Sequence, residues 1–232
     1  MSFAIVKKKG KRTRQSRAAQ AIAALMRRQK RRLLPYPVMP RPLPLRTGGY
    51  ANIPEVKYID VSISSVVSNV GAAVLLNGCT PGSGATNRIG RKITMISCHV
   101  KLYIKQNTSD NSNWTGVKIA LVYDKQTNAT ALSWSDVYDT SSVIADRNLD
   151  NRDRFIVLWD SKAIGFDAYG SAKNVHTENV FIKRRLDVIF NSGSAGTVAD
   201  IQTGSLHLLH YTDETTNVPS MGCQTRVKFV DN

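Results

Sequence analysis

Acidic residues are missing from the first 54 positions: Glu55 is the first, while 14 of the 32 lysines and arginines lie at or before Arg46. Cysteine is scarce as well. Cys79, Cys98 and Cys223 are odd in number and widely spaced, which suggests neither a disulfide framework nor a Cys-x-x-Cys metal site and suits a reducing compartment. No apolar stretch reaches the ~20 residues of a membrane-spanning helix, and no apolar core follows the first lysines as in a secretory signal. Membrane insertion is therefore not expected.

Groups that could assemble into an active site are equally sparse. Cys98 and His99 are neighbours in a strand-like stretch, so their side chains point to opposite faces and cannot act as nucleophile and base. His207 and His210 are separated by an odd number, and His176 stands alone in a loop. The glycine-rich GCTPGSGATN at 78–87 lacks the lysine and spacing of a phosphate-cradling loop and reads as a flexible turn. Asp146, Asp150 and Asp153 alternate with Arg147, Arg152 and Arg154, a pattern of mutual salt bridging more than of a calcium site. The sequence thus predicts no catalytic residue, no metal and no cofactor.

What is present divides into two chemically different parts: +14 in the first 54 residues and +1 in the remaining 178. A run of like charges cannot bury itself, so residues 1–34 read as a solvated basic arm whose partner is an anion. The candidate phosphate contacts are Lys7, Lys8, Lys9, Lys11, Arg12, Arg14 and Arg17 in one cluster and Arg27, Arg28, Lys30, Arg31 and Arg32 in the other. Between them, Ala-rich residues with Ile22, Leu25 and Met26 at helical spacing predict a segment that becomes helical when its charge is neutralised. Nucleic acid is the favoured partner, because each phosphate neutralised releases a condensed counterion whatever the base sequence. An organelle transit peptide and a membrane-surface helix are the alternatives, and the two clusters also have the form of a nuclear-import signal read by import receptors.

Residues 35–54 follow as a linker, with Pro35, Pro37, Pro40, Pro42 and Pro44 among the eight prolines of the chain. That density favours an extended polyproline II strut of about 3.1 Å per residue over helix or sheet. An SH3-type ligand is the other reading of such a segment.

The body, 55–232, alternates with period two. Lys57, Ile59, Val61 and Ile63 share one face; Ile96, Cys98, Val100, Leu102 and Ile104 share another; 116–123, 154–159, 180–190, 205–211 and 224–230 behave alike, and 72–77 makes an eighth strand. Long links at 125–153 and 160–179 argue for Greek-key crossings between two sheets. The expected fold is all-β, a single antiparallel jelly-roll sandwich of about eight strands behind a disordered or inducibly helical arm; an immunoglobulin-like sandwich competes but would be shorter and cysteine-bridged. Arg88, Arg91 and Lys92, entering a strand, are further candidate phosphate contacts, or else a solvated strand edge. Lys183, Arg184 and Arg185 form a second cluster, in which Arg184 shares a face with Ile182 and Leu186 and is expected to pair with a carboxylate.

Four stretches then resemble one family. NRIGRKITMISCHVKLYI at 87–104, VKIALVYDKQ at 117–126 followed by SWSDVYD at 133–139, RDRFIVLWDSKAIG at 152–165 and TRVKFVDN at 225–232 are similar, in order and spacing, to capsid proteins of small circular single-stranded DNA viruses of the geminivirus-like group. In that family the second is a strand with Asp before a turn, the third an Arg-Asp-Arg-aromatic strand, and the last the closing strand. The resemblance implies a homo-oligomer, a sixty-subunit icosahedral shell or a related geometry, around a circular single-stranded DNA genome. The alternatives are a non-assembling nucleic-acid-binding β-barrel, which needs an aromatic platform that the scattered aromatics do not suggest, and an imported enzyme, which needs a catalytic constellation.

Overall fold

A computed structural model describes residues 55–107, 115–166 and 175–231. The basic arm, the proline linker to position 54 and most of the polar 106–114 loop lie outside the described residues. Ten strands run through the described residues: β1 (Val56–Val66), β2 (Ala72–Leu75), β3 (Lys92–Lys105), β4 (Thr115–Asp124), β5 (Phe155–Asp160), β6 (Ile164–Phe166), β7 (Val175–Phe190), β8 (Ile201–Thr203), β9 (Ser205–Thr212) and β10 (Ser220–Asp231), with one α-helical turn, α1 (Trp134–Val137), and one 3-10 turn, Val198–Asp200. All eight expected strands are there; β6 and β8, three residues each, are too short to show a periodicity.

The pairing is nested. First pairs with last (β1 with β10), then β2 with β9, β3 with β7 and β4 with β5, all antiparallel. The pairs fall alternately into two sheets, β1-β10-β3-β7-β8 and β2-β9-β4-β5, with β6 added on β4. A long hairpin wound around itself in this way is a jelly roll. Its main core lies between the sheets, where Ile93, Ile104, Ile119, Leu121, Val188, Phe190, Leu206, Leu208 and Phe229 are essentially without solvent contact.

Two expectations need correction. β3 carries a bulge at Ile96 against both its neighbours, which reverses its alternation. Cys98, Val100, Leu102 and Ile104 point inward as expected, but on the far side of the bulge the inward residues are Ile93 and Met95, while Ile96 is only half-buried. The long 125–154 link is not a crossing, because it joins β4 to its own neighbour β5. It folds back over the outer face of that sheet, where Leu132, Trp134, Val137, Tyr138, Val143 and Ala145 bury Ala120, Val122, Leu209 and Tyr211 in a second core. That cover explains why every residue of β4 and β9 is buried.

Candidate nucleic-acid interface

Among the described residues, none covers the other sheet in this way. Along its outward face the cross-strand rows read Tyr58, Lys228, Ser97, Lys183; then Asp60, Arg226, His99, Phe181; then Ser62, Gln224, Lys101, Asn179; then Ser64, Gly222, Tyr103, Thr177. Three aromatic rings stand in solvent there, Tyr58 at 37%, Tyr103 at 48% and Phe181 at 64% exposure. Tyr103 and Phe181 each stand between two inward apolar residues, and Tyr58 between the buried Lys57 and Ile59, at positions where a polar side chain is ordinarily found.

The charge on this face is lopsided. Asp60 receives both arms of the Arg226 guanidinium, at 2.7 and 2.6 Å, and Arg226 in turn lies 5.0 Å from the centre of the Tyr58 ring. Asp187 is bound by Lys92 at 2.8 Å and by the Thr94 hydroxyl at 2.7 Å, and these two hydrogen bonds hold it below the usual carboxylate range. The carboxylates are thus spoken for, while Lys101, Lys183 and Lys228 form no ion pair with any described residue. Nor does Arg184, which the neighbouring bulge in β7 leaves exposed, so the carboxylate expected for it is not among the described residues.

Within this face two hollows run together down the middle. One, of about 290 Å3, is bordered by Asp60, His99 and Arg226. The other, of about 590 Å3, is bordered by Ser62, Gln224, Lys101, Tyr103 and Asn179. Gly222 forms part of its floor, and a Cβ there would run into the Tyr103 ring, so the ring packs closely against bare backbone. His99 bridges the hollows, bonded to the Asn179 side chain at 2.6 Å and edge-on to Phe181.

Of the three body residues expected at phosphate, the structure separates one from the other two. Arg88 is 4% exposed; its guanidinium donates to the carbonyls of Cys79, Gly90 and Gly193 at 3.2, 2.9 and 2.8 Å and stacks over Phe190 at 4.4 Å. Burial and these three backbone bonds give it a structural place instead of the solvated strand edge, and leave little of it open to a phosphate. Arg91 and Lys92 are exposed, Lys92 as the partner of Asp187. The arm residues from Lys7 to Arg32 lie outside the described residues. The glycine-rich 78–87 stretch is likewise not a slack turn: Arg88 N–H donates to Thr80 O, Gly82 N–H to Arg88 O and Asn87 N–H to Gly84 O, around a buried Cys79.

The motifs that carry the family resemblance meet in space. Asp124, at the end of β4, is wholly buried and accepts both guanidinium arms of Arg154, at 2.9 and 2.8 Å, with the Gln126 N–H as a third donor. Arg154 thereby pairs across the sheet and not within the Asp/Arg run around it, where only an exposed Arg152 to Asp153 contact of 4.0 Å is found. Asp231, in the closing strand, pairs at 2.9 Å with Lys57, itself 1% exposed. The three cysteines are free and buried, and desolvation raises Cys79 to about 11 and Cys98 and Cys223 to about 12, which leaves them as unreactive thiols.

No family model matches the chain. Among curated proteins it is 25% identical over 173 residues to the capsid protein of Pepper huasteco yellow vein virus, covering 72% of this chain and 68% of that one. The capsid protein of Tomato golden mosaic virus (strain Yellow vein) is 24% identical over the same length, covering 72% and 69%. Among solved structures, a Desmodium yellow mottle tymovirus chain overlays with a TM-score of 0.34 and 15% identity over 78% of this chain and 89% of that one, too loosely to add to the topology above.

Proposed function

We propose that this chain, a homologue of geminivirus capsid proteins, is the shell subunit of a small virus: it assembles with copies of itself into a closed icosahedral particle of about sixty subunits and packages circular single-stranded DNA with its basic arm. The observation that carries the reading is the conjunction of that homology with a body of +1 net charge behind a tail of +14. A near-neutral jelly roll can tile against its copies without long-range repulsion, while the tails gather the cations that condense a polyanion.

Residues 1–34 are the packaging arm and a nuclear-import signal, 35–54 the strut, and 55–232 the shell domain. In this scheme the arm and Arg91 meet phosphate, Arg88 holds the domain together, and the protein's role is structural. Val70, Ile89, Ile144 and Leu149 stand 70–77% exposed on loops, apolar area that neighbouring subunits would cover. Virion and host nucleus are the corresponding locations.

Negative-stain microscopy with nuclease protection tests the reading. Uniform particles holding protected nucleic acid are expected, and removal of residues 1–34 should abolish the protected cargo. A protein that stays monomeric at every concentration would instead be the non-assembling nucleic-acid-binding barrel, a reading that gains from the exposed rings of Tyr58, Tyr103 and Phe181.

A further inference from the structure

The packaging reading assigns affinity to the arm, which grips any polyanion. The uncovered sheet face has features that such a grip does not need. Its rings are exposed although the chain has polar residues at the equivalent phase of the same strands, its lysines lack carboxylate partners among the described residues, and its larger hollow has amides and hydroxyls beside an aromatic ring. A solvated sheet face requires none of these together.

Resting on that reading, we propose that the recess beside Tyr103 is a binding site for an unpaired stretch of the DNA: one base stacks on the Tyr103 ring, its edge meets the Gln224 and Asn179 amides, and the adjoining phosphate lies against Lys101. The occupant follows from charge and shape. The ammonium groups of Lys101, Lys183 and Lys228, without an ion pair among the described residues, call for a polyanion. The Tyr103 ring, packed against Gly222 and 48% exposed, offers aromatic surface to solvent, and a volume of about 590 Å3 falls within the range that takes a small planar group. Bases in a duplex are already stacked on their neighbours and cannot reach such a ring, so the site distinguishes single from double strand, which the arm cannot do.

Phe181 lies one strand away and two rows along, roughly 13 Å of strand rise from Tyr103. The two rings are therefore separate platforms along one path, with Lys101 and Asn179 in the row between them, and not a single stack. The nearest carboxylates are already partnered: Asp60 by Arg226, and Glu178 by His176 at 2.8 Å.

The test uses the full-length protein with two probes, a fluorescein-labelled oligothymidylate and a labelled duplex of equal length, at low and high salt. At high salt the arm's contribution is screened and a stacked base is retained. The expected result is a single-strand preference that survives high salt, falls at least about tenfold in Tyr103→Ala and persists in Tyr103→Phe. Lys101→Gln should reduce the salt slope by about one. Photo-crosslinking of bromodeoxyuridine-substituted strand to the unmodified protein needs no folded variant and should mark Tyr103. Equal high-salt binding of duplex and single strand, an unaltered Tyr103→Ala, or crosslinks confined to residues 1–34 would each overturn the proposal. Crosslinking at Tyr103 in a protein that never assembles would refute the shell and keep the recess; particles crosslinked only through the arm would do the reverse.

Discussion

Arg88 shows how burial changes the meaning of a charge. A cation beside Arg91 and Lys92 reads as one of a cluster, yet its guanidinium is the clamp that ties the 79–90 loop to Gly193 and to the Phe190 ring. Arg88→Ala removes the donors of three carbonyls and a buried stem, and should cost about 2–4 kcal/mol. Urea unfolding measures it, and a change below ~0.5 kcal/mol would mean the side chain is solvated after all. Nucleic-acid affinity should barely move. The Asp124–Arg154 pair obeys the same rule more strongly, because Asp124 has no solvent contact: Asp124→Ala leaves a guanidinium without its counter-ion.

At the scale of elements, the 125–154 connection is a structural layer. Trp134 stacks on Tyr138 and Tyr211, with ring centres 4.4 and 4.8 Å apart, and its indole N–H donates to Thr140 O at 2.8 Å. Gly71, at φ +80°, lies against the Trp134 side chain so closely that any Cβ would collide with it. Trp134→Ala should therefore cost about 3–5 kcal/mol and uncover the outer face of β4 and β9, read as a lower thermal midpoint and new binding of a hydrophobic dye. A variant that melts like the parent would show that the connection merely drapes over the sheet. Beneath it, Lys118 donates to Ala145 O at 2.7 Å and sits 4.2 Å from the Tyr138 ring centre; its burial lowers its proton affinity.

For the molecule as a whole, acid is the solvent change to which the fold is most exposed. His207 and His210 are buried in β9, and desolvation lowers both to about 4 from an ordinary value of 6.5. His210 Nδ1 accepts the Ser68 N–H at 3.1 Å, a bond that protonation breaks. Below about 6.5 the unfolded chain takes up protons that the folded chain refuses, so stability falls with pH until about 4, on the order of 3 kcal/mol for each histidine. Urea midpoints should drop steadily across that window; a flat profile would contradict the burial. In the proposed packaging role, added salt should weaken the arm's hold on nucleic acid and leave the near-neutral body largely untouched, which a salt titration of binding checks.

Period-two alternation made eight strands and the sandwich legible in the sequence, since a strand with one buried face must write that face every second residue. The segregation of cations ahead of Glu55 was legible for a similar reason, because net charge needs no coordinates. The faces were less so. One extra residue at Ile96 moves Ile93 and Met95 into the core, and nothing local announces a bulge. The outward phase of Tyr58, Tyr103 and Phe181 can be read from their apolar neighbours, yet their arrival on one uncovered sheet depends on β1, β10, β3 and β7 lying side by side. Composition and periodicity are local sums over the chain and determined the class of fold and the basic arm. Which sheet is roofed by the 125–154 connection, which arginine is clamped and which ring meets solvent depend on contacts between residues far apart in sequence, and only the tertiary structure decided them.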